Sequence, residues 1–507
     1  LFFGPRRNVT IELAEDTALP GLKGRQEINS TLENFYNVRI PVNTHVPYYW
    51  WQGQAPQVLP EPEKKTVTGD ITSVPEATKQ LVRDKLTELA GKQVKDEDRL
   101  ANDLGIDSLT IMEFAIWMES EFGVPIDDLS VLATVKDCIL AAAGQILHAA
   151  PATQKPVPEK WFQDSMSRLT LGHQETITEL FLEQAKRHPD RIILADRLAG
   201  EKTYRDVLTA IFVLKPILEK VPGEHIGIML PASVSAGILY LAALFSGKTP
   251  VMMNWTVGIG NVQHGLDLTG VTTIVTARTL YKKLSGQGVD LSAVNTNWLY
   301  LDEIAPAIPL YKKIMAALQA RFTAGSLAKT PITKTATILF TSGSESHPKA
   351  VPLTHDNIVA NLRDFSSIIS FTGNHRLLGM LPPFHSLGLT GTIILPLCLG
   401  LKTVYHANPT EAAILAGMIE QYKVSTVVGT PTFLTGILKA AAQEQLQSLR
   451  LVFTGAEKCP EHTYQTLEKM NPEAILCEGY GITECSPLVS INRVENPQPG
   501  TIGQVMP

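Results

Sequence analysis

The spacing of apolar residues separates a part of the chain with mixed strands and helices from a purely helical part. From about residue 162 onward, short apolar runs alternate with longer helical stretches such as 233–246. The runs have the length of buried strands, and strands that alternate with helices predict parallel sheets covered by helices. The clearest runs are 225–230, 271–276, 335–340 and 424–428.

Residues 75–147 place their apolar positions at helical spacing instead. The pattern predicts an amphipathic helix over 76–90, a second helix over 108–122 and a third near 135–147. Three helices in so short a segment indicate a small bundle. The fold class expected for the chain is therefore multidomain, with a small helical bundle followed by a large α/β domain with parallel sheets.

Spaced prolines mark two linkers, because proline-rich segments favour extended chain over packed structure. Residues 1–47 are too short for a core of their own. The chain starts without methionine, and we expect both of its ends to be cuts within a longer protein. The predicted organisation is an upstream tail (1–47), a linker (48–74), the helical bundle (75–147), a second linker (148–161) and the α/β domain (162–507).

Composition excludes several classes of function. The net charge of −6 and the pI near 6.1 give no broad basic field, so nucleic acid is not an expected partner. The five cysteines include no CxxC pair, which argues against structural zinc and favours a reducing compartment such as the cytoplasm. The apolar stretch 236–245 is too short to cross a bilayer and predicts a buried helix.

Ser108 stands at the predicted start of the second helix, within Asp107-Ser108-Leu109. Taken alone, such a serine is most often an ordinary N-cap. The preceding Leu104-Gly105 and the acidic residues after the serine, in a module held between linkers, make residues 75–147 resemble an acyl carrier protein. The resemblance implies that Ser108 carries 4′-phosphopantetheine, whose tether would raise the local concentration of the acyl group.

The strand predicted at 335–340 leads into a run of small hydroxyl residues, Thr341-Ser342-Gly343-Ser344-Glu345, followed by Lys349. Backbone N–H groups around such a glycine converge on anionic oxygens, and the lysine adds a positive charge. The run lacks the Gly-Lys-Thr or Gly-Lys-Ser ending of a Walker loop, and a serine-rich loop alone is more often a plain turn.

Two later segments favour phosphate binding. Gly455-Ala456-Glu457 follows the apolar run 451–454, and Tyr480-Gly481-Ile482-Thr483-Glu484 follows the apolar run 474–477. Ligands of parallel sheets bind at the carboxyl ends of strands, so three such segments predict one shared ligand site.

These segments resemble the adenylate-forming superfamily, which includes acyl-CoA synthetases, firefly luciferase and the adenylation domains of peptide synthetases. The resemblance implies ATP and Mg²⁺ as cofactors, and catalytic roles for Lys349, Glu484, Thr483 and His385 of Pro383-Phe384-His385-Ser386. It also implies phosphate contacts from Thr341, Ser342, Gly343, Ser344, Glu345 and Lys349, adenine contacts from Gly455, Ala456, Glu457, Tyr480 and Gly481, and Mg²⁺ ligation by Glu484 and Thr341. Ser346 departs from the usual glycine of the loop.

Residues 162–507 further resemble the synthetase half of bifunctional acyl-acyl carrier protein synthetase/2-acylglycerophosphoethanolamine acyltransferases. Met252-Met253-Asn254, Phe384-His385-Ser386 and Leu488-Val489-Ser490-Ile491-Asn492 carry this resemblance, and Gly4-Pro5-Arg6-Arg7 resembles the tail of the acyltransferase half. The catalytic motif of that half is a histidine five residues before an aspartate, and this spacing occurs nowhere in the sequence. The mobile C-terminal lobe of the superfamily is expected to lie beyond residue 507.

The function expected from these resemblances is ATP-dependent activation of a fatty acid and its transfer to a phosphopantetheine thiol, feeding phospholipid acylation. The implied partners are a fatty acid, a carrier domain in cis or in trans and an upstream acyltransferase domain, with peripheral contact at the cytoplasmic face of the inner membrane left open. Two alternatives remain: a fatty acyl-AMP ligase that feeds polyketide or peptide synthesis, and a non-catalytic platform that binds nucleotide and displays the carrier.

Overall fold

The computed structural model describes most of the chain from residue 71 onward, and the chain forms two units. Contacts divide the chain into Leu1–Lys155 and Pro156–Pro507. The expected phosphopantetheine site at Ser108 and the loop residues 342–347 lie outside the described residues. The described residues are 44–45, 57–58, 71, 74–100, 103–104, 114, 117–118, 121–122, 132, 134–144, 156–163, 166–286, 289–341 and 348–507.

The first unit contains a short antiparallel strand pair and a helical core. Strands β1 (Thr44–His45) and β2 (Gln57–Val58) pair with each other. Helix α1 (Glu76–Ala90) confirms the predicted first helix to the residue. Helix α2 (Val135–Ala142) begins where the third helix was predicted and ends at Ala142, and residues 145–147 of that prediction lie outside the described residues. Of the predicted helix over 108–122, the structure describes positions 114, 117–118 and 121–122, all of them helical.

Apolar side chains hold this unit together. Val82 and Leu86 of α1 are fully buried with Phe114, Met118 and Ile139. A guanidinium–carboxylate pair between Arg83 and Asp96 adds two hydrogen bonds of 2.8 Å that fix α1 to the following loop. At the start of α2, Thr134 and Asp137 form a capping box, a device that contributes about 1 kcal/mol.

The second unit is an α/β body with two mixed sheets. Its strands are β3 (Ile192–Asp196), β4 (Lys202–Thr203), β5 (His225–Ile228), β6 (Thr249–Met252), β7 (Thr273–Thr276), β8 (Asn297–Tyr300), β9 (Thr335–Thr341), β10 (Lys349–Thr354), β11 (Arg376–Gly379), β12 (Lys402–Tyr405), β13 (Thr426–Gly429), β14 (Leu451–Thr454), β15 (Ile475–Gly481), β16 (Leu488–Ile491) and β17 (Gln504–Val505).

The helices of this body cover the sheets. They are α3 (Ile177–Arg187), α4 (Tyr204–Leu218), α5 (Val234–Leu244), α6 (Ile259–Thr269), α7 (Arg278–Gly286), α8 (Leu301–Ala307), α9 (Leu310–Phe322), α10 (His355–Ile368), α11 (Ser386–Leu389), α12 (Leu395–Leu399), α13 (Ala412–Tyr422), α14 (Pro431–Ala440) and α15 (Glu461–Met470). Helix α5 is the buried helix predicted at 236–245, and it begins after Ser233, whose side chain accepts a hydrogen bond from the Ala236 N–H.

The strand order shows where the sheets depart from the predicted parallel arrangement. One sheet has the order β10-β9-β6-β5-β7-β8, and the other has the order β17-β16-β15-β14-β13-β11-β12-β3-β4. Inner neighbours are parallel, whereas β10, β16, β17 and β4 pair antiparallel at the edges. The prediction of parallel sheets is thus confirmed for most of each sheet, and antiparallel strands are added at the edges, where the chain turns back directly without a crossover helix.

Trp161 anchors the start of this body. Its side chain is fully buried, its indole N–H donates to the Tyr422 carbonyl at 3.0 Å, and its own carbonyl accepts from the Lys402 ammonium at 2.6 Å. In the part of the chain that the structure describes, no helix has both the length and the apolar character needed to cross a membrane.

Candidate functional site

In the larger sheet, the parallel strands β13 and β14 end together beside β15, which continues to Gly481. Gly429 at the end of β13 lies opposite Thr454 at the end of β14, and Thr454 lies opposite Glu478 of β15. The residues that follow these positions are therefore neighbours in space. The sheet register brings two of the predicted segments, Gly455–Glu457 and Gly479–Gly481, side by side, together with Thr430–Thr432 after β13.

The segment around Tyr480 is strand and not loop, which corrects the expectation. Strand β15 runs beyond the apolar run and pairs antiparallel with β16, where Tyr480 lies opposite Ser490. A Cβ atom at Gly481 would lie 2.4 Å from the Pro487 carbonyl oxygen, so only glycine fits this pairing. The rigid pairing presents the Tyr480 side chain, 45% exposed, beside the cavity described below.

Glu478, next to this segment, has a structural role. It is buried, and its carboxylate accepts hydrogen bonds from the Cys459 N–H at 3.0 Å, the Gly500 N–H at 2.8 Å and the Tyr464 hydroxyl. Its oxygens are thus directed into the protein. Glu484, in contrast, is exposed in the turn Thr483–Cys485, where it can meet a ligand.

The turn Thr483–Cys485 joins three predicted features. The Thr483 hydroxyl donates to the Ser386 hydroxyl at 3.3 Å, which ties the turn to the segment that contains His385. The same turn lies against β10, and β10 begins at Lys349. Lys349 was expected inside the loop after β9; it is instead the first residue of the returning strand, with Thr341 of β9 as its direct partner.

The structure thus places the two ends of the predicted phosphate loop, Thr341 and Lys349, side by side. The loop residues Ser342, Gly343, Ser344 and Glu345 lie outside the described residues, as does Ser108, so their predicted roles stay predictions. Within the described residues, neither Lys349 nor Glu484 forms an ion pair.

A cavity of about 480 Å³ opens between these segments. One part of its lining is polar and glycine-rich and comes from the strand ends. The remaining wall is apolar and reaches the core beneath the sheet. The polar part includes Thr430, Thr432, Gly455, Ala456, Glu457, Tyr480, Gly481 and Thr483, and the apolar part includes Phe365, Phe371, Leu377, Leu395, Leu401 and Phe453.

The apolar wall contains a local irregularity. Residues Thr390–Ile394 form a π-helical turn, a feature often found at functional sites, and Gly391 of this turn lines the cavity. The Thr390 hydroxyl is buried at the cavity wall and has no hydrogen-bond partner among the described residues.

His385, for which the resemblance implies a site role, lies at the cavity wall, and that role stays a prediction. Its ring meets Phe384 at a centroid distance of 4.7 Å, and Phe384 in turn meets Trp255 edge to face at 4.7 Å. Part of the His385 side chain is exposed. The burial of the remainder disfavours the charged imidazolium and lowers the pKa of His385 below the usual 6.5. His385 is therefore a neutral imidazole near pH 7, suited to hydrogen bonding.

The sequence predicts Gly429–Thr432 as part of the pocket wall, and Thr430 and Thr432 line the cavity. Two contacts that hold the site together carried no signal in the sequence. Asn361 of α10 holds β16 in place, because its amide donates to the Leu488 carbonyl at 2.7 Å and its carbonyl accepts from the Leu488 N–H at 3.3 Å. The Thr432 hydroxyl donates to Glu457 at 2.8 Å and joins two of the strand-end segments. Both contacts link residues at least 25 positions apart, which no local pattern reveals.

The donor set fits Mg²⁺ held jointly by protein and substrate. Among the described residues, no group of three or more histidine, cysteine or acidic side chains could enclose a metal ion. Magnesium commonly binds through one or two carboxylates with substrate phosphates and water as the remaining ligands. An exposed carboxylate at Glu484, in a turn against the strand that begins with Lys349, provides that kind of partial site.

Fold and site together define an α/β domain whose strand ends surround a cavity with one polar and one apolar part, preceded by a separate helical module. The model of the AMP-binding enzyme family matches residues 181–507, and the chain belongs to this family, whose members use ATP and Mg²⁺. The model of the phosphopantetheine attachment site matches residues 78–137, a range that contains Ser108.

Known relatives are similar at modest identity. The long-chain-fatty-acid–CoA ligase of Bacillus subtilis is 26% identical over 387 residues, which are 69% of this chain and 67% of the relative. The medium-chain fatty-acid–CoA ligase of Escherichia coli is 24% identical over 66% of this chain and 63% of its own length. Gramicidin S synthase 2 of Brevibacillus brevis is 24% identical over 66% of this chain but only 7% of its own length.

Solved structures show the same fold. VinN matches with a TM-score of 0.56 and 18% identity, over 67% of this chain and 82% of VinN. The N-terminal domain of FACL13 from Mycobacterium tuberculosis matches with a TM-score of 0.53 and 20% identity, over 66% of this chain and 83% of that domain. The chain spans about two thirds of the fatty-acid ligases and most of these two structures.

Proposed function

We propose that this protein activates a fatty acid with ATP as an acyl-adenylate and transfers the acyl group to a phosphopantetheine thiol on a carrier domain. The observation that supports this proposal most strongly is the single cavity whose polar end is formed by the strand-end segments and whose other end is an apolar pocket. A nucleotide and a fatty acid need these two environments side by side.

The polar end is proposed to bind the nucleotide. Tyr480 would offer its ring face to adenine, with Gly455, Ala456 and Glu457 at the edge of the base. Ala456 has a φ of +70°, a strained backbone for a residue with a side chain. Strain of this kind is often kept at ligand sites. The hydrogen bond between Thr432 and Glu457 would hold this segment in place before the nucleotide arrives.

Lys349, Thr341 and Glu484 are proposed to act at the phosphates. Thr341 and Lys349 flank the loop, so the loop residues between them would surround the triphosphate with backbone N–H groups. Glu484 and Thr341 would hold Mg²⁺, which neutralises phosphate charge when bound. Thr483 would lie near the phosphates, positioned by its contact with Ser386.

The apolar end is proposed to hold the acyl chain. Phe365, Phe371 and Phe453 line it together with aliphatic residues. Each methylene transferred from water to such a wall contributes about 0.8 kcal/mol. His385, neutral because partial burial lowers its pKa, would donate a hydrogen bond to the carboxylate of the acid where the two ends meet.

In the proposed activation step, a carboxylate oxygen of the acid forms a bond to the α-phosphorus of ATP while the bond to pyrophosphate breaks. Negative charge rises on the phosphoryl oxygens during this displacement. The Lys349 ammonium and the loop amides would stabilise that charge, which is the main contribution a protein makes to such a reaction. Phosphopantetheine attached to Ser108 would supply the thiol that attacks the acyl carbon of the adenylate, and the bond to AMP would break as AMP leaves.

Intact mass spectrometry tests this proposal. The protein is incubated with a phosphopantetheinyl transferase, coenzyme A, ATP, Mg²⁺ and a mixture of fatty acids. We expect one mass increase for phosphopantetheine and a second, ATP-dependent increase for the acyl group. Ser108→Ala should prevent both increases, and Lys349→Ala should prevent only the second. Lys439→Ala, which changes an exposed lysine of α14, is the matched control.

Two results would contradict the proposal. Phosphopantetheine that forms on a residue other than Ser108 would remove the carrier assignment. Acyl-adenylate that forms equally well in Lys349→Ala would remove the proposed role of the loop. A thioester found only on a separately added carrier would show loading in trans.

A second candidate function is supported by the relatives. Gramicidin S synthase 2 and the hybrid PKS-NRPS synthetase pyvA of Aspergillus violaceofuscus match over 66% and 63% of this chain. A fatty acyl-AMP ligase that loads a carrier of an assembly line would have the same cavity and the same carrier serine. The acceptor separates the two: transfer to lysophospholipid by an acyltransferase supports phospholipid acylation, and transfer to a condensing or ketosynthase domain supports the assembly line.

A further inference from the structure

Helix α9 (Leu310–Phe322) carries its large apolar side chains on the outside of the α/β body. A surface helix normally directs its apolar face towards the core. The residues of α9 that are buried are the small side chains Ala316 and Ala320, and the helix packs on α4. Six large apolar residues are exposed: Leu310 49%, Tyr311 63%, Ile314 52%, Met315 54%, Leu318 46% and Phe322 72%.

The exposed side chains form one continuous face. With 3.6 residues per turn, the six positions fall within an arc of roughly 140°. Ala316 and Ala320 lie on the opposite side of the helix. The apolar face of α9 is therefore directed straight away from the protein, and it extends along the whole helix.

Cations border this face. On the helix, Lys312 lies roughly 60° beyond one end of the apolar arc and Lys313 roughly 60° beyond the other, whereas Arg321 lies just inside the arc near Leu310. The sequence from 304 to 344 contains no aspartate or glutamate. Its basic residues are Lys312, Lys313, Arg321, Lys329 and Lys334. An apolar face between two cationic flanks is the arrangement of helices that lie in the plane of an anionic membrane.

We propose that α9 is a membrane-docking helix, which inserts its apolar face among the acyl chains of an anionic lipid surface while Lys312, Lys313 and Arg321 contact the lipid phosphates. The proposal rests on the proposed function in one respect: a fatty acid partitions into membranes, so docking places the enzyme at its substrate. The docking itself depends only on the surface of α9.

The charge of this face favours a membrane over a second copy of the chain. A two-fold pairing of the helix with itself would bring the same surface from each copy together. Lys312, Lys313 and Arg321 would then face identical cations, with no acidic residue on the helix to neutralise them. Anionic lipid phosphates complement the cations and the acyl chains complement the apolar residues.

Vesicle co-sedimentation of the full chain tests the proposal. We expect the protein to sediment with phosphatidylglycerol vesicles, to stay in solution with phosphatidylcholine vesicles, and to be released from the anionic vesicles by high salt. Replacing Lys312 and Lys313 with glutamine should weaken binding about fivefold for each cation. The double variant Ile314→Gln/Leu318→Gln should weaken it about tenfold or more, because both side chains lose their insertion into lipid.

Leu198→Gln is the matched control, since Leu198 is a leucine of the same body that is 100% exposed and lies outside α9. Its binding to vesicles should equal that of the unchanged protein. The substituted residues of α9 are exposed as well, so both variants should fold normally, with the midpoint of urea unfolding as the check.

Three results would overturn the proposal: no sedimentation of the unchanged protein with anionic vesicles, equal binding by the α9 variants, or a dimer in light scattering that Ile314→Gln/Leu318→Gln converts to a monomer without any vesicle binding. ATP binding is measured on the same samples without vesicles. Loss of ATP binding in the unchanged protein would count against the proposed function and leave the vesicle result standing.

Discussion

Gly391 offers a way to test whether the apolar end of the cavity holds the acyl chain. It lies in the π-helical turn Thr390–Ile394 and lines the cavity. A Cβ atom at this position would come within 3.5 Å of Leu387 and 3.9 Å of Val428, which are ordinary contact distances, and both residues also line the cavity. A larger side chain at 391 is therefore accommodated by occupying cavity space.

The size of the effect follows from the volume that Gly391→Leu removes. The leucine side chain adds four carbon atoms, so about four methylenes of a long acyl chain lose their place. At about 0.8 kcal/mol for each methylene, the loss is about 3 kcal/mol, which corresponds to a factor of more than about 100 in affinity. A short acid that does not reach this part of the wall should lose nothing.

The assay is acid-dependent release of pyrophosphate with fatty acids from butyrate to palmitate. Gly391→Leu should lower kcat/KM for palmitate by about two orders of magnitude and leave kcat/KM for butyrate unchanged. Gly260→Leu is the matched control, because Gly260 of α6 has open space around it. Unchanged use of palmitate would show that the acyl chain lies elsewhere, and an equal loss with all acids would indicate general damage to the site.

Substitutions at three further residues test individual parts of the structure. Burial lowers the pKa of His355 to about 4, so between pH 6.5 and 4 the unfolded chain binds a proton that the folded protein does not, and stability should fall by about 3 kcal/mol as the pH drops. His355→Gln should flatten this fall in urea unfolding measured at several pH values, and an unchanged slope would contradict the assignment. Glu478→Gln should lower the free energy of unfolding by about 2–3 kcal/mol, because the glutamine amide N–H would face the backbone N–H of Cys459 or of Gly500. An unaltered free energy of unfolding would mean that these hydrogen bonds contribute little. Tyr480→Ala should weaken ATP binding in calorimetry about tenfold or more through lost stacking and Tyr480→Phe should restore it, whereas equal weakening in both variants would assign the contact to the hydroxyl.

The sequence predicted the elements that depend on local pattern. The apolar run at 335–340 predicted β9, because a short apolar run that ends at small hydroxyl residues is typical of a buried strand. The amphipathic spacing of residues 76–90 predicted α1 to its exact bounds. Gly455 was placed correctly after a strand for the same reason. Each of these features is decided by residues close together in the chain.

Features that depend on distant pairing were not predictable. Tyr480 lies in a strand because β16 pairs with it. Lys349 begins a strand because β10 pairs antiparallel with β9. The apolar wall combines Phe365 and Phe453, which are 5.8 Å apart between ring centroids although 88 positions separate them in the chain. A single sequence shows none of these contacts, since each arises only when sheet and helices pack together.

Photoaffinity labelling with 8-azido-ATP tests most directly whether the strand-end segments form one nucleotide site. The protein is irradiated with the probe and Mg²⁺, and the modified peptides are identified by mass spectrometry. We expect labelling of peptides that contain Tyr480 and Gly455–Glu457, suppressed by ATP and weakened in Lys349→Ala. Labelling confined to other surfaces, or labelling of these peptides that excess ATP does not suppress, would contradict the account.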